Sequence, residues 1–140
     1  LSVHALGGVK MMKEACFSGK EIFAVTILTS LDSFEVKQIY NREVKDVVLV
    51  LAKLAKDAGV AGIVCSSQDL KMLKSHLELA DLKFIVPGIR SVGVDLDDQN
   101  RVSTPKIAIQ DGADYLVIGR QITKSDNPLA EFLKIQKEIE

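Results

Sequence analysis

The sequence predicts an α/β fold built on a parallel sheet, as about five β/α units in a single domain over residues 1–140, and three observations predict it. Short apolar runs rich in β-branched residues recur at 1–5, 22–26, 61–65, 83–86 and 115–118. Apolar character held over four or five residues is what a strand covered on both faces requires, and such strands belong to parallel sheets. Between the runs the periodicity changes to that of a helix, and 140 residues at 47% apolar content suffice for one compact core but not for two ordinary domains.

The elements follow in order. After the first run, Gly7-Gly8 marks a strand-to-helix turn, and after the second, Ser30, Asp32 or Ser33 is placed to cap the next helix. Residues 41–58 put Val44, Val47, Val48, Leu51, Leu54 and Ala58 on one stripe, with Lys45, Asp46, Lys53 and Lys56 mostly away from it and Gly59 at the C-cap. Ser67 precedes Leu70, Leu73 and Leu77 as an N-cap. Thr104 precedes Pro105 at a first helical position, and Asn127 and Pro128 repeat that device ahead of Leu129, Phe132, Leu133 and Ile139. Repeated β/α units suit either a doubly wound sheet or a piece of a (β/α)8 barrel. A complete barrel takes about 250 residues, so a barrel reading puts the other units before Leu1.

Composition excludes some functions. A net charge of -1 and a pI of 6.2 supply no basic field for nucleic acid. Cys16 and Cys65 lie far apart with no metal-ligand spacing and read as buried free thiols of a reducing compartment. No apolar run approaches the roughly 20 residues of a membrane span, and the N-terminus lacks signal-peptide character, so a cytoplasmic protein without a membrane partner is expected.

The chemistry is expected where strands end. Gly119-Arg120 follows the last strand, and Pro87-Gly88-Ile89-Arg90 follows the one before. Glycine admits a ligand to the backbone, a guanidinium pairs two phosphate oxygens in a fork, and the loops after the last two barrel strands commonly hold phosphate. The alternative for each is a turn with a solvated arginine. Residues 91–103, with Asp95, Asp97, Asp98 and Gln99 and no periodicity, read as a lid, a binding loop or a surface loop. Thr29-Ser30 presents hydroxyls and amides after the second strand, the alternative being that Ser30, Asp32 or Ser33 simply caps the following helix. His4 is a ligand neighbour or a hydrogen-bonded core histidine, and His76 a solvated helix residue.

These segments resemble the second half of bacterial-type orotidine 5'-phosphate decarboxylases. The resemblance runs through Val3-His4-Ala5 with Gly7-Gly8, Ala24-Val25-Thr26 with Leu28-Thr29-Ser30, and Gly62-Ile63-Val64-Cys65-Ser66. It continues through Pro87-Gly88-Ile89-Arg90, Asp98-Gln99 with Arg101-Val102 and Thr104-Pro105, and Gly112-Ala113-Asp114-Tyr115 on to Gly119-Arg120. It implies a (β/α)8 TIM barrel that converts orotidine 5'-phosphate to UMP without metal or organic cofactor, in a homodimer with active sites at the subunit interface. Under it, Thr29 would meet the pyrimidine edge, and Gln99 would bridge lid, phosphate and base. Arg120 with the Gly119 backbone would hold the phosphate, and Arg90 would complete that corner.

The family's chemistry depends on an Asp-x-Lys-x-x-Asp run at the end of an earlier strand, and no such run occurs in this sequence. Asp69-Leu70-Lys71 continues to Lys74 in a helical pattern, and Asp81-Leu82-Lys83 continues to Val86 and leads into a strand. No catalytic residue is therefore expected in this chain. The short connection from Cys16 to Ile22 is a second departure. A phosphosugar decarboxylase or aldolase barrel would share the phosphate grip, but Gln99, Arg101 and Thr104-Pro105 favour the nucleotide enzyme. A non-catalytic module contributing a phosphate pocket is the reading from another class.

Overall fold

A computed structural model describes residues 1–93 and 102–140. Its strands are β1 (Ser2–His4), β2 (Phe23–Val25), β3 (Gly62–Val64), β4 (Lys83–Val86) and β5 (Tyr115–Leu116). The helices are α1 (Gly8–Cys16), α2 (Ser33–Tyr40), α3 (Val44–Ala58), α4 (Ser67–Lys74), α5 (Pro105–Gln110), α6 (Arg120–Thr123) and α7 (Pro128–Ile139). All four strand pairings are parallel, in the order β1-β2-β3-β4-β5. A doubly wound sheet reverses its strand order at a switch point, and this one never does. Right-handed crossovers taken always in one direction lay the helices along one face. This is the winding of part of a barrel.

The register shows which residues that winding buries. Val3, Ala24, Ile63 and Phe84 form one row across β1 to β4. The last three are fully buried, in one cluster with Met12 of α1, Val48, Ala52 and Ala55 of α3, and Leu70 and Leu73 of α4. The row His4, Val25, Val64, Ile85 and Tyr115 lies on the other face, as does the row Ser2, Phe23, Gly62 and Lys83. There Phe23 on β2 and Tyr115 on β5 meet edge to face, ring centroids 6.4 Å apart. Three strand spacings in a flat sheet would separate their backbones by about 14 Å. The sheet therefore curls toward the face that carries these two rings.

That face corrects one expectation. The strands read as covered on both sides, yet His4 and Tyr115 are exposed and Val25, Val64 and Ile85 only half-buried. Five strands curl around part of an axis, so no strand of the described residues stands opposite to cover them. His4 is accordingly no core histidine.

Local chemistry explains the helix ends. Asp32 makes a capping box on α2: its side chain accepts from Glu35 N at 2.8 Å, and Glu35 Oε2 accepts from Asp32 N at 3.0 Å. Asn41, in the left-handed region at φ 51°, ends α2, so the next helix begins at Val44 rather than at 41. Gly59 closes α3 at φ 81°, as the sequence predicts. Thr104 caps α5 and Asn127 caps α7, each followed by proline. The N-cap of α4 is Ser66 instead of Ser67, and Leu77 lies beyond that helix, 88% exposed in a short 3-10 turn that His76 precedes. The final helix also differs: Ile135 is its buried residue, while Leu129, Phe132, Leu133 and Ile139 are exposed, because α7 packs on α5 and α6 at the end of the sheet. Cys65 is buried and Cys16 half-buried, and neither is in a disulfide.

Candidate functional site

Because every strand is parallel, the segments leaving β1 to β5 emerge at one end of the sheet. That end receives Thr29 after β2, Arg90 after β4, and Gly119 and Arg120 after β5.

The loop after β4 is shaped by its backbone. Gly88 takes φ 72°, a conformation that disfavours a side chain. Arg90 N then donates to Ser103 O at 3.0 Å, and Ser103 N donates to Gly88 O at 3.3 Å. These bonds and the bridge between Ile89 and Ser103 hold the base of the segment at 91–103 closed. Arg90 is only 6% exposed, and its Nη1 donates to Ile89 O at 2.7 Å. A groove of about 360 Å³ opens beside it, lined by Ser91, Gly93, Ser103 and Thr104 among others.

The turn after β5 presents backbone. Gly119 is exposed at the N-cap of α6, with no heavy atom within 4 Å of where a Cβ would stand, so a ligand meets no side chain there. Ile122 N and Thr123 N donate to Gly119 O at 2.9 and 3.0 Å, which sets Arg120 in the first turn of α6.

A buried side-chain pair brings the two loops together. Ser91 N donates to Gln121 Oε1 at 3.0 Å, and Gln121 Nε2 donates to Ser91 Oγ at 2.8 Å. Gln121 Nε2 also donates to Glu131 Oε1 of α7 at 2.7 Å. Ser91 follows Arg90 and Gln121 follows Arg120, so each arginine stands one residue from the joint. The sequence singled out neither Ser91 nor Gln121 for this, since no local pattern announces a bond across 30 residues.

Thr29 is buried, 8% exposed, at the same end of the sheet. The cap on α2 is Asp32, one of the three cap candidates that the sequence offers after β2. Gln99 lies outside the described residues, as do Asp95, Asp97, Asp98 and Arg101. A further buried polar pair stands after β3, where Ser66 Oγ donates to Asp69 Oδ2 at 2.6 Å. Ser66 is the N-cap residue of α4, and Asp69 lies in the first turn of that helix.

Chemically, two guanidiniums and an open glycine backbone suit a small dianion. Asp69-Leu70-Lys71 lies in α4, and Asp81-Leu82-Lys83 leads into β4, with Asp81 paired to Lys56. Among the described residues, no three His, Cys, Asp or Glu side chains gather as a metal site, and no helix is long and apolar enough to cross a membrane.

Residues 1–135 match the family model for the orotidine 5'-phosphate decarboxylase / HUMPS family. Orotidine 5'-phosphate decarboxylase of Pseudoalteromonas translucida is 47% identical over 100% of this chain, which covers 63% of that protein. The decarboxylase of Haemophilus ducreyi is 44% identical over 99% of the chain, covering 64% of its own length. The crystal structure of the orotidine 5'-phosphate decarboxylase from Lactobacillus acidophilus superposes with a TM-score of 0.79 at 33% identity, over 99% of this chain and 62% of that one. The chain thus spans somewhat under two thirds of these relatives. On a match that runs almost end to end, it belongs to the orotidine 5'-phosphate decarboxylase / HUMPS family.

Proposed function

We propose that this chain is the substrate-gripping part of an enzyme that decarboxylates orotidine 5'-phosphate to UMP without a cofactor. The observation that supports the reading is the joint between the loops after β4 and β5, where the residue that follows Arg90 bonds to the residue that follows Arg120. In this reading Arg120, the Gly119 backbone and Arg90 hold the phosphate, Thr29 meets the pyrimidine edge, and Gln99 reaches between phosphate and base. Proton transfer belongs to an Asp-x-Lys-x-x-Asp strand in the part of the relatives that this chain does not match, so the 140 residues alone hold substrate without turning it over.

The open face of the sheet supports the same reading. Exposed Tyr115 and Val117, the apolar side of α7, and a cavity of about 440 Å³ between β5 and α7 are surfaces that further barrel strands would cover. A homodimer in the cytosol goes with the reading, and Cys16 and Cys65, neither of them in a disulfide, suit a reducing compartment. A phosphosugar barrel could use the same grip, but relatives at 44–47% identity named as decarboxylases favour the nucleotide.

Titration of the complete protein with UMP tests this. Arg120→Ala removes a charge-assisted contact worth about 1.5 to 3 kcal/mol, so binding should weaken by about tenfold to a hundredfold. Equal affinity in the variant would remove Arg120 from the site.

A further inference from the structure

We propose that Gln121 is a positioning residue: its buried carboxamide sets the spacing between the Arg90 and Arg120 loops and anchors both to α7. This rests on the reading that those arginines hold the substrate phosphate.

The carboxamide is held in one orientation by its partners. Its oxygen accepts from Ser91 N, and its nitrogen donates both to Ser91 Oγ and to the Glu131 carboxylate. Turned over, the amide would set its oxygen against a carboxylate and its N-H groups against another N-H, so the alternative is electrostatically unfavourable. Gln121 and Ser91 are 9% and 4% exposed, so parting them leaves polar groups unsatisfied where water does not replace the bonds. Each arginine Cα is one peptide step, about 3.8 Å, from a member of this pair. A slip at the joint therefore moves one guanidinium relative to the other, and a fork that must meet several phosphate oxygens tolerates little slip. Glu131 lies in the first turn of α7, so the joint is also referred to the last helix.

A residue that only places the arginines contributes equally to holding substrate and transition state, and its loss should raise KM with little change in kcat. Steady-state kinetics of the complete protein with orotidine 5'-phosphate reads this directly. Gln121→Met keeps the length and removes all three bonds: KM should rise about tenfold and kcat stay within about twofold. Ser91→Ala removes only the hydroxyl and should raise KM about threefold, which keeps the inference testable where Gln121→Met folds poorly. Gln121→Glu sets a second carboxylate beside Glu131. Its KM relative to wild type should be high at pH 8 and approach one as the pH falls and the new group, protonated, can donate again. A purely structural role would lower the melting temperature and leave both the KM ratios and their pH dependence flat.

Unchanged KM in Ser91→Ala, with a pH-independent ratio in Gln121→Glu, overturns the inference while leaving the decarboxylase reading intact. A wild-type protein that neither binds UMP nor turns over orotidine 5'-phosphate overturns both.

Discussion

Gly62→Ala tests the curled sheet on which the site stands. Gly62 lies on β3 on the face that carries Phe23 and Tyr115. A Cβ there would fall 2.3 Å from Lys83 O, and 2.8 and 2.9 Å from Phe23 Cε1 and Cδ1. Ordinary contact begins at 3.4 Å, so β3 and β4 would have to part by roughly 1 Å or bend. The ring can turn aside, but the carbonyl belongs to the β3–β4 pairing and cannot. Overpacking of this kind costs about 1 to 3 kcal/mol, and the backbone partner places Gly62→Ala near 3. Urea unfolding followed by far-ultraviolet circular dichroism measures the loss. Adding Phe23→Leu should restore only part of it, because the carbonyl contact remains. A variant within about 0.5 kcal/mol of wild type would refute the close approach of β3 to β4 and, with it, the tight curl of the sheet.

The helix caps and the surface charges yield two further expectations. Asp32→Ala removes the side-chain half of the capping box on α2 and should cost about 1 kcal/mol in the same unfolding assay, while Asp32→Asn should retain most of it. Hydrogen bonds from Lys83, Lys37 and Lys56 hold Glu21, Glu43 and Asp81 below their ordinary values of 4.5, 4.5 and 3.8. Depressed carboxylates lend stability that is fully present above those values and is lost as the pH falls through the lower folded ones. Melting temperature should therefore fall below about pH 4.5, and less steeply in Glu21→Gln/Glu43→Gln/Asp81→Asn or in high salt. An identical acid slope in the triple variant would show that these pairs carry none of it.

The fold was legible wherever short-range chemistry decides it. Pro105 and Pro128 after capping residues, the stripe from Val44 to Ala58, and Gly59 beyond it each state a local preference that packing did not overrule. Legibility failed where the outcome depends on what lies across space. An apolar run does not say whether one face or two will be covered, so strands with one open face look the same in sequence as strands covered on both. Leu77, Leu129 and Phe132 fit helical stripes yet are left exposed among the described residues. In the proposed site, glycine and arginine after a strand suggest a phosphate grip through residue type alone. Gln121 and Glu131 announced nothing, because their value lies in partners contributed by other segments.

The division of labour between grip and chemistry is tested most directly by following the loss of orotidine 5'-phosphate absorbance, in parallel, with two proteins from a host lacking its own decarboxylase. One is the complete protein containing this sequence, and the other is residues 1–140 alone. Binding groups that hold substrate and transition state equally do not lower the chemical barrier. The expected result is turnover by the complete protein and none by the 140 residues. Turnover by the 140 residues comparable to that of the complete protein would contradict the assignment of proton transfer to another segment, and a complete protein without turnover would contradict the decarboxylase reading itself.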